Sequence, residues 1–209
     1  MSIDVPKIGF LSGVIACCAT LAFCIVQTLQ LYDVLKFPTD EQLIYGTSLC
    51  IVSPFILEIL ALHYVTQDDK KFCTHAALIF TVLYAGFVTG NYVVQLATVI
   101  PNTMKGSLNE VRILQQTPHS LFWNFDALGY IFMGLANAAA VPAFSSRGFE
   151  RWVKISFIAN AAVTPLISIV YFYPTYTPKI LILGFPWAVT APISMLLLAI
   201  FFRKKLFIK

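Results

Sequence analysis

Six apolar stretches, with charged residues almost confined to the gaps between them, constrain this chain more than any motif in it. They run approximately over residues 8 to 31, 43 to 66, 74 to 100, 120 to 143, 152 to 173 and 179 to 202. A helix needs about 20 mostly apolar residues to cross a hydrocarbon core of about 30 Å, and each stretch reaches that length. Separate segments of this length cross lipid only as helices, because every backbone N–H and C=O must find its partner inside the segment. The expected fold is all-α: one integral membrane bundle of six transmembrane helices, a single six-span domain over residues 1–209. With 58% hydrophobic and 11% charged residues, the chain has no stretch left over for a soluble domain.

Orientation follows from the basic residues, because cytoplasmic flanks are enriched in Lys and Arg. One side holds Lys7, Lys70, Lys71, Arg147, Arg151, Lys154, Arg203, Lys204, Lys205 and Lys209, and the other holds Lys36, Lys105, Arg112 and Lys179. This distribution places both termini in the cytoplasm, in a plasma membrane or a bacterial inner membrane. Tyr32, Tyr45, Tyr171, Tyr173 and Tyr176 then fall in the outer aromatic belt, and Tyr64 and Trp152 in the inner one. Val14-Ile15-Ala16-Cys17 has the form of a lipoprotein cleavage box, but the apolar run continues beyond it, so residues 8 to 31 read as a retained first span.

Helix starts have their own chemistry. Thr39 with Gln42 forms a capping-box pattern, and Thr117-Pro118 and Thr177-Pro178 place a cap before a first-turn proline. The one long connection, 101–119, lies on the outer side. Within it Ser107 and Glu110 form another capping box, followed by Leu108, Val111 and Leu114 at helical spacing. A short helix on the outer membrane surface is expected there, as an interfacial connector or as a lid.

Two carboxylic acids, Glu58 and Asp126, lie inside the apolar stretches. A charged side chain at mid-bilayer costs about 2.5–3.5 kcal/mol on insertion scales, so such residues face the bundle interior and mark function. At 1.5 Å per residue, Asp126, Gln95 and Asn91 lie roughly 9, 7 and 13 Å below the outer ends of their spans, and Gln27 falls at the same level. These four define an expected outer polar layer, with Trp123, Tyr92 and Tyr130 as aromatic walls. A second layer, roughly 10 to 12 Å from the inner ends, holds Glu58, Asn137 and Asn160 as an expected relay. His119, Asp126, Tyr130, Met133 and Asn137 share one face of the fourth span and link the layers. The amides taken singly also serve as interhelical glue. Glu58 is expected either to reach toward the cytoplasmic interface or to pair with His63.

Other chemistries find no support. Every lysine sits at a span end or outside, which excludes a mid-helix retinal Schiff base. The three histidines form no HExxH or multi-His cluster, and the five cysteines show no CxxC pairs, so no metal site and no cofactor is expected. No GxSxG, P-loop or GxGxxG motif occurs, and no basic stripe interleaved with aromatics points to nucleic acid. Gly9-x-x-x-Gly13 and Gly86-x-x-x-Gly90 allow close helix approach, within the chain or at a homo-oligomer seam. Pro54, Pro165, Pro186 and Pro192 fall within spans, where proline removes a backbone hydrogen bond.

The expected partners are thus the lipid bilayer and a small molecule of unknown identity. The first functional reading is a ligand-binding or carrier protein with an outer pocket at Gln27, Asn91, Gln95, Trp123, Asp126 and Tyr130 and proton or cation coupling through the two acids. The second is an accessory or scaffold subunit. The third is a membrane-embedded enzyme using Asp126 or Glu58 as acid or base, without a visible nucleophile.

Overall fold

The computed structural model describes residues 4–206. Six helices are long and apolar enough to cross a membrane, and no strand occurs among the described residues. The helices are α1 (Val5–Leu31), α2 (Thr39–Val65), α3 (Lys71–Val94), α4 (Ile100–Met104), α5 (Leu108–Val111), α6 (Leu121–Ala140), α7 (Glu150–Phe172) and α8 (Phe185–Leu206). The chain is an integral membrane protein in its architecture: α1, α2, α3, α6, α7 and α8 are the spanning helices.

These six pack as a closed ring in chain order, α1 on α2, α2 on α3, α3 on α6, α6 on α7, α7 on α8 and α8 back on α1. Neighbours are antiparallel, including α3 and α6 across the long connection, where Asn91 late in α3 bonds the Phe122 carbonyl early in α6. One end of the ring gathers the start of α1 and the end of α8, where Gly9 meets Phe202, and the start of α7, where Lys204 lies over Phe149. The other end gathers the α1–α2, α6 and α7–α8 connections, with Trp123 against Tyr171 and Tyr176. They are called here the terminal end and the loop end.

Hydrophobicity does not decide which face of each helix turns inward, because lipid is as apolar as the core; size and polarity do. On α1 the buried face carries Gly9, Ser12, Gly13, Ala16, Cys17 and Thr20, while Leu11, Ile15, Leu21 and Ile25 are exposed toward the surroundings of the bundle. Small side chains let α1 approach α2 and α8 closely. A methyl group on Gly9 would stand 2.6 Å from the Phe202 ring, and Gly13 lies directly against the Glu58 carboxyl group. Gly9 and Gly13 are therefore occupied within the chain, whereas nothing lies within 4 Å of where side chains on Gly86 and Gly90 would begin. Pro54, Pro165 and Pro192 sit inside α2, α7 and α8, and Pro186 is in the first turn of α8.

The four expected helix starts are built differently. Thr39 is the first residue of α2 and not its cap: Pro38 already has helical dihedrals, and its carbonyl accepts from Gln42 N–H at 3.0 Å. Thr117 and Pro118 lie in the connection, and Ser120 caps α6 by accepting from the Trp123 N–H at 3.1 Å. Ser107 precedes α5 but makes no side-chain cap bond. The surface helix is one turn, Leu108–Val111, tightened into a 3-10 turn over Arg112–Leu114, so the helical spacing seen through Leu114 does not become a longer helix. Thr177 opens a 3-10 stretch, Pro178–Gly184, that leads into α8.

Between α3 and α4 the helix widens into a π-turn over Gln95–Val99. Pro101 explains it: its ring lacks an N–H and would clash with the carbonyl one turn back in a regular α-helix. The wider turn lets the helix continue through Met104, after which Gly106, at φ +81°, breaks it and turns the chain back over the bundle.

Candidate functional site

The centre of the loop-end half is Asp126, on the inward face of α6 and 5% exposed. Tyr92 of α3 donates its hydroxyl to one carboxyl oxygen, and Tyr171 of α7 donates to the other. Gln116 Nε2 adds a third hydrogen bond of 3.0 Å to that second oxygen. Tyr92 is placed by the turns of α3 that precede the π-turn, and Tyr171 by the last turn of α7. Three donors from three segments thus converge on one carboxyl group, and all three are neutral.

Gln116 comes from the connection, not from a spanning helix. Asn91 Nδ2 donates to its side-chain oxygen at 2.9 Å and to the Phe122 carbonyl at 3.2 Å. Gln95 accepts from the Gln116 backbone N–H at 3.3 Å and donates to the Leu114 carbonyl at 2.7 Å. Its amide also reaches Asn91 Oδ1 at 3.5 Å. Segment 114–116 is therefore stitched to α3 and α6 by side chains and closes the bundle over Asp126. The turn that follows carries His119 at φ +67°, a left-handed conformation uncommon for a residue with a side chain. It sends the chain from the stitched segment into Ser120, the cap of α6.

Aromatic rings wall this network. Trp123 donates its indole N–H to the Tyr171 carbonyl at 3.1 Å, and the two rings stand 4.6 Å apart. Tyr130 lies one turn deeper on α6, 5.9 Å from Tyr171 and 5.0 Å edge-on to Trp187 of α8. Below Asp126 a small cavity opens on the bundle axis, lined by Ser48, Tyr84, Tyr92, Asp126, Tyr130 and Trp187 among others. About 20 Å³ of it is open to the centre of a water molecule, which is room for about one water.

The structure brings Asn91, Gln95, Trp123 and Asp126 into one connected network and sets Tyr130 beside it. Gln27 belongs to a different set: it donates to Gln30 at 3.1 Å, and Gln30 donates to Asp40 at 2.9 Å, tying α1 to α2 at the loop end. Gln116, Tyr171 and Tyr84 were not among the sequence candidates. The first lies outside every apolar stretch, the second reads as a belt tyrosine, and the third lies in an apolar run without a polar neighbour.

Glu58, Asn137 and Asn160 are all buried, and no hydrogen bond joins any two of them. Asn137 donates back to the Met133 carbonyl at 3.1 Å, and Asn160 accepts from Thr190 of α8 at 3.2 Å. Glu58 is fully buried on α2 against Gly13 of α1, near Ala199 of α8, and neither carboxyl oxygen has a hydrogen-bond partner. His63 is not its partner, because the His63 ring pairs with Thr74 at 3.0 Å. Among the described residues no group of three or more His, Cys, Asp or Glu is gathered as a metal site would require.

No protein-family model matches this sequence, and neither a curated protein nor a solved structure matches it. The site therefore stands on its own geometry.

Proposed function

We propose that this membrane protein binds a small ligand, and carries it, at the closed polar pocket around Asp126, with a proton or a monovalent cation as the coupled species. The observation that carries this reading is a buried carboxyl group with three neutral donors and no basic partner. The ion pair of Lys71 with Asp68 lies at the terminal end, away from Asp126. Neutral donors steady an ionised carboxylate but supply no counter-charge, so a proton or a bound cation completes it. The water-sized cavity beneath Asp126 limits what the closed form admits to a species of that size. A larger ligand requires segment 114–116 to lift, and the side-chain stitching of Gln116 makes that segment the natural gate.

An accessory or scaffold role is the second reading. It is favoured by the same network read as adhesion, since α3, α6, α7 and the connection are all fastened at Asp126. The two separate under Asp126→Asn in proteoliposomes. The carrier reading expects proton or sodium flux, followed with an internal pH or sodium dye, in the parent and none in a folded Asp126→Asn protein. Equal flux through both, or through neither, leaves the scaffold reading.

A further inference from the structure

At the terminal end, the start of α7 and the end of α8 form a basic surface separate from the Asp126 pocket. Arg147, Arg151 and Lys154 come from the α6–α7 connection and the first turns of α7, and Arg203, Lys204 and Lys205 from the last turn of α8. Ring contacts hold the two elements together: Phe144 stands 5.8 Å from Phe201, and Lys204 lies 4.0 Å over the Phe149 ring. Lys154 reaches back to Ser146 at 3.1 Å, folding the connection onto α7.

Six cations therefore lie on this end of α7 and α8 and the connection before α7, with one carboxylate, Glu150, among them. Glu150 accepts the Ser145 backbone N–H at 2.8 Å, and none of the six cations is in an ion pair. Arg147, Arg151, Arg203 and Lys204 are exposed. Immediately beyond them along α7, Trp152, Ile155 and Ile158 are 59%, 43% and 48% exposed on the outer face of the ring.

We propose that this surface binds the phosphodiester headgroup of an anionic phospholipid, with one acyl chain lying along Trp152, Ile155 and Ile158. Unpaired guanidinium and ammonium groups at a membrane boundary are complementary to a phosphate anion, and Arg presents its donors as a fork that matches phosphate oxygens. A free phosphate would satisfy the charges alone. The apolar, exposed strip that continues from them along α7 favours the lipid, because a lipid joins phosphate and hydrocarbon in one molecule. Trp at this level is also the residue that settles at headgroup depth.

The test is lipid retention by the full chain in nanodiscs made from equal parts of phosphatidylglycerol and phosphatidylcholine, extracted gently and weighed by native mass spectrometry. Phosphatidylglycerol should be retained in clear excess over phosphatidylcholine. Each charge removed from the set R147Q, R151Q, K154Q and R203Q should lower the excess by about fivefold. The lysine versions R147K, R151K and R203K should keep most of it, and K36Q with K179Q at the loop end should leave it unchanged. All variants lie on the surface, and circular dichroism with size-exclusion chromatography confirms folding. Equal retention of the two lipids, or an excess that survives the four glutamine changes, overturns the proposal. So does an excess that inorganic phosphate at millimolar concentration abolishes, which would mark a soluble-anion site.

Discussion

Asp126 shows how much one residue decides here. Its carboxyl oxygens take hydrogen bonds from Tyr92, Tyr171 and Gln116, and Gln116 in turn is held by Asn91 and Gln95. Removing a single donor leaves a buried acceptor short of a partner, at about 1–3 kcal/mol. Tyr92→Phe and Tyr171→Phe are each expected to destabilise the folded protein by that amount. Gln116→Leu should cost at least as much, because it takes one hydrogen bond from Asn91 and one from Asp126 together. Unfolding by SDS titration in mixed micelles measures all three; parent-like midpoints for the two phenylalanine variants would mean that the hydroxyls do not hold the carboxyl group. Part of this network was legible in the sequence. Asp126, Asn91 and Gln95 stand out because polar groups in apolar runs are costly and must meet one another. Gln116 did not, since a glutamine in a connection is ordinarily solvated and nothing in its neighbourhood says that it dips inward. Tyr171 was hidden by its position at a span end, where tyrosine is common for interfacial reasons.

At the scale of helices, glycines mark the closest approaches in the ring. The pair Gly9 and Gly13 was readable on α1 because it repeats at helical spacing, and Cys17 and Thr20 extend the same buried face. Gly129 and Gly134 on α6 were not, because each is single and its meaning depends on the facing helix. A methyl group on Gly129 would stand 2.6 Å from Val88 Cγ2 of α3, and one on Gly134 would overlap Thr164 of α7. Gly129→Ala should therefore destabilise the α3–α6 seam by about 1–3 kcal/mol, the usual cost of overpacking. Val88→Ala removes the atom that the new methyl meets, so the double variant should be more stable than the sum of the two single changes allows. Strictly additive unfolding energies would show that α3 and α6 separate without cost and that the seam is not tightly packed. The same scale explains the failed capping signals. Ser120 and not Thr117 caps α6, because the intervening left-handed His119 first turns the chain from the stitched segment to the helix.

For the whole molecule, six spans were legible from apolar length alone, and six helices long and apolar enough to span a membrane are found. Their closure into a ring was not legible, since one lipid-compatible face looks like another until small and polar residues choose partners. The ring gives the two ends distinct electrostatic character. The terminal end carries Lys7, Lys70, Lys71, Arg147, Arg151, Lys154, Arg203, Lys204 and Lys205, and Lys209 lies outside the described residues; the loop end carries Lys36, Lys105, Arg112 and Lys179. Basic residues in short connections resist transfer across the membrane during insertion, so the terminal end is expected in the cytoplasm and the loop end outside. Cysteine labelling checks this directly. With Cys17, Cys18, Cys24, Cys50 and Cys73 replaced by serine or alanine, single cysteines are placed at Lys105 and at Arg147, both exposed in connections. A membrane-impermeant maleimide applied to intact cells should modify the Lys105→Cys protein at once and the Arg147→Cys protein only after the membrane is opened. The reverse pattern would turn the molecule over. It would set Asp126 and segment 114–116 toward the cytoplasm and move the basic surface of α7 and α8 to the other leaflet, where a test for anionic lipid would have to be matched to that leaflet's composition.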